Sequence, residues 1–281
     1  MFTLIISLVV STGAVVYCES SGASIGWTIT CGIVGFLACQ IIIGLLVRKK
    51  VNIVNADLQG ILMGGQKRIN QKIQAFQNKP TGGMKAMQML LEKEQTQFLE
   101  RALDFTSNLE PFCKWNLLMP KQIDTMRMQF NYQMKNFDAV DKILAKKGLL
   151  NGVIMMEPIT AAMKMARQHK NKDFAALEKS YEKFAKKFKK GGKSVLIYGL
   201  YSWSLIKQGE LEKAREALYQ GKEETQNELL VRNWELLSND KPKKFSNAAL
   251  GDEWYSLYLE TPAQPKQQRV RGGGKRGGMM H

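Results

Sequence analysis

Hydrophobic and polar positions divide the chain into three regimes. Residues 1–18, MFTLIISLVVSTGAVVYC, and residues 27–47, WTITCGIVGFLACQIIIGLLV, carry no charge. A membrane-spanning helix needs about 20 apolar residues; the second run has that length and the first is at its short end. Between them ESSGASIG holds one glutamate and no lysine or arginine, and Arg48-Lys49-Lys50 follows the second run directly. By the positive-inside rule that basic flank belongs in the cytoplasm. The pattern predicts a transmembrane helical hairpin over residues 1–50, with both ends and the bulk of the chain on the cytoplasmic side. A cleaved signal peptide fits less well, because the usual basic start is missing. Its removal would still leave the second helix as an anchor.

Past residue 50 the apolar positions take helical spacing. Val54, Leu58, Leu62, Ile69, Ile73 and Phe76 form one stripe, and Pro80 with Gly82-Gly83 breaks it. The stripe resumes with Met84, Met87, Leu91, Phe98, Ala102, Phe105 and Leu109. Residues 51–119 are therefore expected to be an amphipathic helical hairpin followed by a short linker, PFCKWNLLMP. No alternating strand pattern of useful length occurs, so the predicted class is all-α.

Residues 120–260 repeat at a spacing of 37. Phe137, Phe174 and Leu211 share one column; Val140, Leu177 and Ala214 a second; Leu144, Tyr181 and Leu218 a third; Met126, Met163 and Leu200 a fourth. Asn136, Asp173 and Glu210 precede the first column, and Asn and Asp are good helix N-caps because a side-chain oxygen accepts a free backbone N–H. Each unit reads as helix, tight turn, helix. A fourth unit is expected to place Trp234 and Leu237 on its first helix and Tyr255 on its second, with Gly251 in a core column.

The clearest unit is YGLYSWSLIKQGELEKAREALYQG, residues 198–221. Its Gly209, Leu211, Ala214 and Leu218 resemble the turn glycine, second-helix apolar residue, small packing residue and following large apolar residue of the tetratricopeptide-repeat (TPR) superfamily. The other units depart from that pattern: Val140 and Leu177 replace the alanine, Lys135 and Lys172 replace the glycine, and the period exceeds the usual length of about 34 residues. The resemblance implies a degenerate TPR-like α-solenoid that binds a protein or peptide in a groove. A membrane hairpin followed by such units is also similar in layout to the inner-membrane TPR proteins associated with heme biosynthesis, from which no activity is carried over.

Charge adds a second theme. Lysine and arginine number 41 against 25 acidic residues, a formal net charge of +16. Residues 164–193 hold eleven basic and three acidic residues, so net +8, half of the excess. Such a balance suits an acidic partner, whether nucleic acid, anionic lipid or acidic protein. Within KKFKKGGKSV the ending Gly192-Lys193-Ser194 matches the close of a phosphate-binding P-loop. The first glycine of that motif is missing, because Lys187 occupies its place, and the segment follows a helical pattern instead of a strand. The reading is instead a helix end at Gly191-Gly192, with Ser194 available to cap the next helix. If Leu177, Tyr181, Phe184 and Phe188 pack inward, Lys183, Lys186, Lys187, Lys189, Lys190 and Lys193 are left as an exposed basic patch. The tail, residues 261–281, adds Lys266, Arg269, Arg271, Lys275 and Arg276 in a glycine-rich setting. It is expected to be disordered and, with the patch, a candidate surface for acidic lipid headgroups or nucleic acid.

Other chemistry is sparse. Four cysteines make neither a disulfide framework nor a metal cluster. His169 has no Cys or His near it, and Asp252-Glu253 reads as a solvated face beside Trp254. No spacing demands an enzyme, and no cofactor is implied. The chain is expected to be a membrane-anchored adaptor or scaffold at the cytoplasmic face; the alternative is a binder of anionic ligands held near the bilayer.

Overall fold

The computed structural model describes residues 2–78, 83–146, 148 and 152–262, and every regular element among them is helical. Helix α1 spans Phe2–Ser20 and α2 spans Ile25–Asn78, joined by a turn of four residues. Both are long and apolar enough to cross a membrane. They pack against each other through small residues: Ser7, Thr28 and Gly32 are buried, and Ser11 Oγ donates to the Gly32 carbonyl at 2.8 Å. A Cβ at Gly32 would sit 2.8 Å from Val15 Cγ2, so the backbones meet closely there, as small residues allow between membrane helices. The outward faces are apolar, with Leu8, Val9, Ile41 and Leu45 each more than half exposed.

Helix α2 does not break at residue 50, where the membrane segment was expected to give way to a second unit. It runs unbroken for 54 residues, about 80 Å at 1.5 Å per residue. Its far half packs on α3 (Gly83–Phe105) around Leu58, Phe98, Leu99, Ala102 and the later Phe130. Gly65 is required at that crossing, since an added Cβ would lie 2.3 Å from the Phe98 ring. Met84 and Met89, at the start of α3, remain exposed. A 3-10 stretch, Thr106–Lys114, then returns the chain toward the base of α1. There Phe2 meets Trp115 edge-on at 5.5 Å, and Thr3 Oγ1 donates to the Trp115 carbonyl.

Six helices follow in pairs: α4 (Met119–Gln133) with α5 (Phe137–Ala145), α6 (Pro158–Lys170) with α7 (Phe174–Phe188), and α8 (Val195–Gln208) with α9 (Leu211–Thr225). Their turns are built alike at the expected spacing. Lys135, Lys172 and Gly209 all have positive φ, at 61°, 58° and 85°. The residue after each donates its N–H to the carbonyl five positions back: Asn136 to Asn131, Asp173 to Gln168, Glu210 to Leu205. This is the Schellman closure, which normally favours glycine. Asn136 and Asp173 cap the following helices, accepting from the Ala139 and Ala176 N–H; Glu210 does not. Val140, Leu177, Ala214, Met163, Leu200, Tyr181 and Leu218 are all buried, whereas Phe174 and Leu211 are more than a third exposed at the turn edges.

The fourth unit is cut short. Helix α10 (Glu228–Ser238) is its first helix, but the second is only α11 (Asp252–Tyr255), reached through two 3-10 turns. Gly251, at φ 58°, caps α11 instead of filling a core column. The segment 245–260 lies across the first helices of the earlier units. Asn247 Nδ2 donates to the Gly199 carbonyl of α8. Tyr132 Oη of α4 donates to the Leu257 carbonyl, and Tyr258 Oη to the Gln133 carbonyl. Trp254 is fully buried.

Candidate functional site

The lysine-rich turn lies at the end of α7. Leu177, Tyr181, Phe184 and Phe188 are buried, and Lys183, Lys186, Lys187, Lys189, Lys190 and Lys193 are all exposed. Periodicity alone placed both sets. Lys189 pairs with Glu224 at 3.1 Å, and Lys187 Nζ donates to the Met155 carbonyl. Lys186, Lys190 and Lys193 have no ion-pair partner among the described residues. Just inside, burial and then the charge of Lys183 push the Lys164 ammonium below its ordinary pKa.

The geometry is not that of a P-loop. Residues 190–192 form a 3-10 turn following α7, and Gly192 has φ 66°. Ser194 does not cap α8 as expected: its hydroxyl makes no capping bond and is buried without a partner. It faces packed protein, where a P-loop serine would face magnesium and phosphate. The turn is tied to the part of the molecule that lies next to the apolar pair. Ile154, beside Met155, donates its N–H to Thr125 Oγ1 at 2.9 Å, and Thr125 shares a cleft with Asn55 of α2. Asn55 lies seven residues, about 10 Å, past Arg48. Arg269, Arg271, Lys275 and Arg276, expected to share in anion binding, lie outside the described residues, as does most of the tail.

The inner face of the paired helices, where a peptide groove was expected, carries the chain's own segment 245–260. Glu260 holds it through both carboxylate oxygens, accepting from Trp203 Nε1 at 2.7 Å and Trp254 Nε1 at 2.9 Å. Tyr258 stacks on Tyr132 and lies near Phe137. His169 packs 4.8 Å from Trp203, its Nδ1 bonded to Ser204 Oγ. Burial, then the charges of Lys170 and Lys207, hold its pKa below the ordinary 6.5, so the ring is neutral at pH 7. Among the described residues no cluster of His, Cys, Asp or Glu could hold a metal. Asp252 and Glu253 are exposed in the first turn of α11 and converge on nothing.

Open surface persists elsewhere. A cleft of about 570 Å³ between α9 and α10 is lined by Glu212, Arg215, Glu216, Tyr219 and Trp234 among others. Tyr219 is half exposed, and Lys222 lies 3.7 Å over the Trp234 ring. Beside it Tyr181 and Tyr201 stack at 3.9 Å. Burial, then the Glu178 carboxylate, pushes the Tyr201 hydroxyl up to about 12, so it stays a neutral hydrogen-bond donor.

Sequence reasoning missed two features. The covering of the inner face could have been suspected from Trp254, Leu257 and Tyr258, which are too apolar for a free terminal segment. A cavity at the foot of α1 and α2, lined by Gln40, Arg48 and Trp115, needed the fold to bring residue 115 back to residue 2. No protein-family model, no curated protein and no solved structure matches this chain.

Proposed function

We propose that the chain is an integral membrane adaptor: a two-helix transmembrane hairpin holds a TPR-like helical array at the cytoplasmic face, where the array binds a protein or peptide partner. The observation that carries this reading is the thrice-repeated turn, with left-handed residues 37 apart at Lys135, Lys172 and Gly209, on an array joined to the apolar pair by one continuous helix. Repeats of this kind stack to make extended binding surfaces. With the inner face occupied, the partner surface is the α9/α10 cleft, whose exposed Tyr219 sits among charges of both signs.

Two measurements test the reading. A cysteine placed at Glu253 in a version free of native cysteines is expected to resist an impermeant reagent in intact cells and to react after lysis; labelling before lysis would reverse the orientation. A photoreactive residue at Tyr219, in native membranes, is expected to give a discrete protein adduct that survives moderate salt, while one at Glu100 on α3 gives none. Equal labelling from both positions would remove the cleft as the partner site.

The unpaired Lys186, Lys190 and Lys193 favour a second reading, in which the lysine turn binds acidic headgroups or nucleic acid. Salt separates the two, because a polyanion complex weakens steeply as salt rises and an aromatic-lined cleft does not.

A further inference from the structure

A cavity of about 560 Å³ opens where the apolar pair meets the helical domain. Its walls come from three places in the sequence: Thr3 and Leu4 of α1, residues 40–55 of α2, and the return segment around Trp115 and Asn116. Arg48 is the sole charged residue among them, and no carboxylate lines the cavity. The guanidinium has no ion-pair partner among the described residues. Gln40 Nε2 is shielded in the wall without a hydrogen-bond partner. Asn52, Asn55, Asn116 and Gln122 supply further amides, and Val47, Val51 and Met119 the apolar flank.

Depth decides what such a cavity meets. The uncharged run of residues 27–47 is about 31 Å long at 1.5 Å per residue, close to the hydrocarbon thickness of about 30 Å. Arg48 therefore lies at the edge of the hydrocarbon, where lipid phosphates begin. Trp115, brought against Phe2, lines the same cavity. A single arginine among amides is a donor set for one phosphate monoanion, and with no carboxylate in the lining the cavity has nothing to receive the ammonium of a zwitterionic headgroup. The volume falls within the ordinary range for small-molecule sites, about 300–1,000 Å³.

We propose that this cavity is a binding site for the headgroup of an anionic phospholipid of the cytoplasmic leaflet, with Arg48 on the phosphate and the neighbouring amides of Asn52 and Asn55 completing the donor set. The site rests on the reading that α1 and α2 cross the bilayer. It is separate from the lysine turn: it selects one lipid molecule by a shaped cavity, where the turn offers only diffuse charge. Occupancy ties the return segment to the anchor.

The test uses the full chain in mild detergent, examined by native mass spectrometry with phosphatidylglycerol and phosphatidylcholine in competition. One retained phosphatidylglycerol per chain is expected, in clear preference to phosphatidylcholine. Arg48→Gln should lower that preference about tenfold or more, the worth of a charge-assisted hydrogen bond. Lys67→Gln, exposed on α2 away from the cavity, should change nothing. Equal retention of both lipids, or an unaltered preference in Arg48→Gln, would overturn the proposal. Competition by soluble glycerol phosphate as effective as by the whole lipid would overturn the lipid as source. Alkaline extraction of membranes keeps the two readings apart: a chain released into the supernatant removes the anchor itself, whereas one that stays in the pellet yet shows no lipid preference removes only the site.

Discussion

Replacing Trp254 by alanine measures how firmly segment 245–260 covers the array. The ring is fully buried and lies edge-on to Trp203 at 5.6 Å. Truncating a buried aromatic to alanine costs about 3–5 kcal/mol. The Nε1 bond to Glu260 is charge-assisted, worth about 1.5–3 kcal/mol in a dry site, but Glu260 is partly exposed and water can replace part of it. Trp254→Phe should accordingly cost less than Trp254→Ala, about 1–2 kcal/mol, most of it through the lost N–H. Because Trp203 and Trp254 share one carboxylate, Trp254→Phe and Glu260→Gln should couple, with a double-mutant term of about 0.5–2 kcal/mol. Urea unfolding of the full chain in detergent, followed by far-UV circular dichroism, gives these differences. Trypsin gives an independent readout, since release of the segment loosens the backbone of the 3-10 turn at Lys243 and Lys244, whose side chains are already exposed. A cost for Trp254→Ala below about 1 kcal/mol, far under the range for a buried aromatic, with unchanged trypsin cutting, would mean that the segment is not part of the core.

Four further outcomes follow from the same geometry. Ala214, fully buried between α8 and α9, should not tolerate Ala214→Trp, which costs about 1–3 kcal/mol; Lys172→Gly, relieving a non-glycine residue at φ 58°, should instead stabilise by about 1 kcal/mol, both read as shifts in unfolding midpoint. The His169 pKa is lowered in the fold, so the unfolded chain binds its proton first as pH falls. The stability that neutral His169 contributes is full above the ordinary 6.5 and lost as pH drops toward the folded value; the wild-type melting temperature should fall more on acidification than that of His169→Gln. Finally, a fragment from Val51 onward should bind anionic vesicles less as salt rises, each lysine adding about 1 kcal/mol. The Lys186/Lys187/Lys189/Lys190→Ala variant should bind much more weakly and Ser194→Ala equally well, whereas magnesium-dependent ATP binding lost only in Lys193→Ala would restore the P-loop.

The helical periods were legible because they are local. Leu177, Tyr181, Phe184 and Phe188 declare a buried face by spacing alone, and the 37-residue offset located three turns even though two lack glycine. Lysine at 135 and 172 hid the turn type, since a left-handed lysine is tolerated only when the surrounding hydrogen bonds hold it there. What stayed illegible is non-local. Nothing in the spacing of Ser194 distinguishes a capping hydroxyl from one turned into the core. The continuity of α2 through Arg48-Lys49-Lys50 also escaped, because a change of solvent alters the composition of a helix without breaking its backbone hydrogen bonds. The fold-back of residues 245–260 depends on pairs more than fifty residues apart, Trp203 with Glu260 and Tyr132 with Leu257.

Those two non-local features together constrain the adaptor reading. A repeat array must finish somewhere, and its last helix leaves an apolar face without a neighbour. Here α10 has no full partner helix, and the chain covers the exposed inner faces with Trp254, Leu257 and Tyr258 instead. The same residues that complete the core cover that inner face, so the recognition proposed above falls to the edges that carry Tyr219 on one side and the lysine turn on the other. At the opposite end the array has no flexible linker. The helix that passes through the apolar region also forms the first wall of the domain, through Val51 and Leu58, and its length fixes the height of everything packed on it. On the proposed reading that the apolar pair crosses the bilayer, a partner captured at such edges must itself lie close to it, so membrane proteins and membrane-bound peptides are the partners that this reading expects.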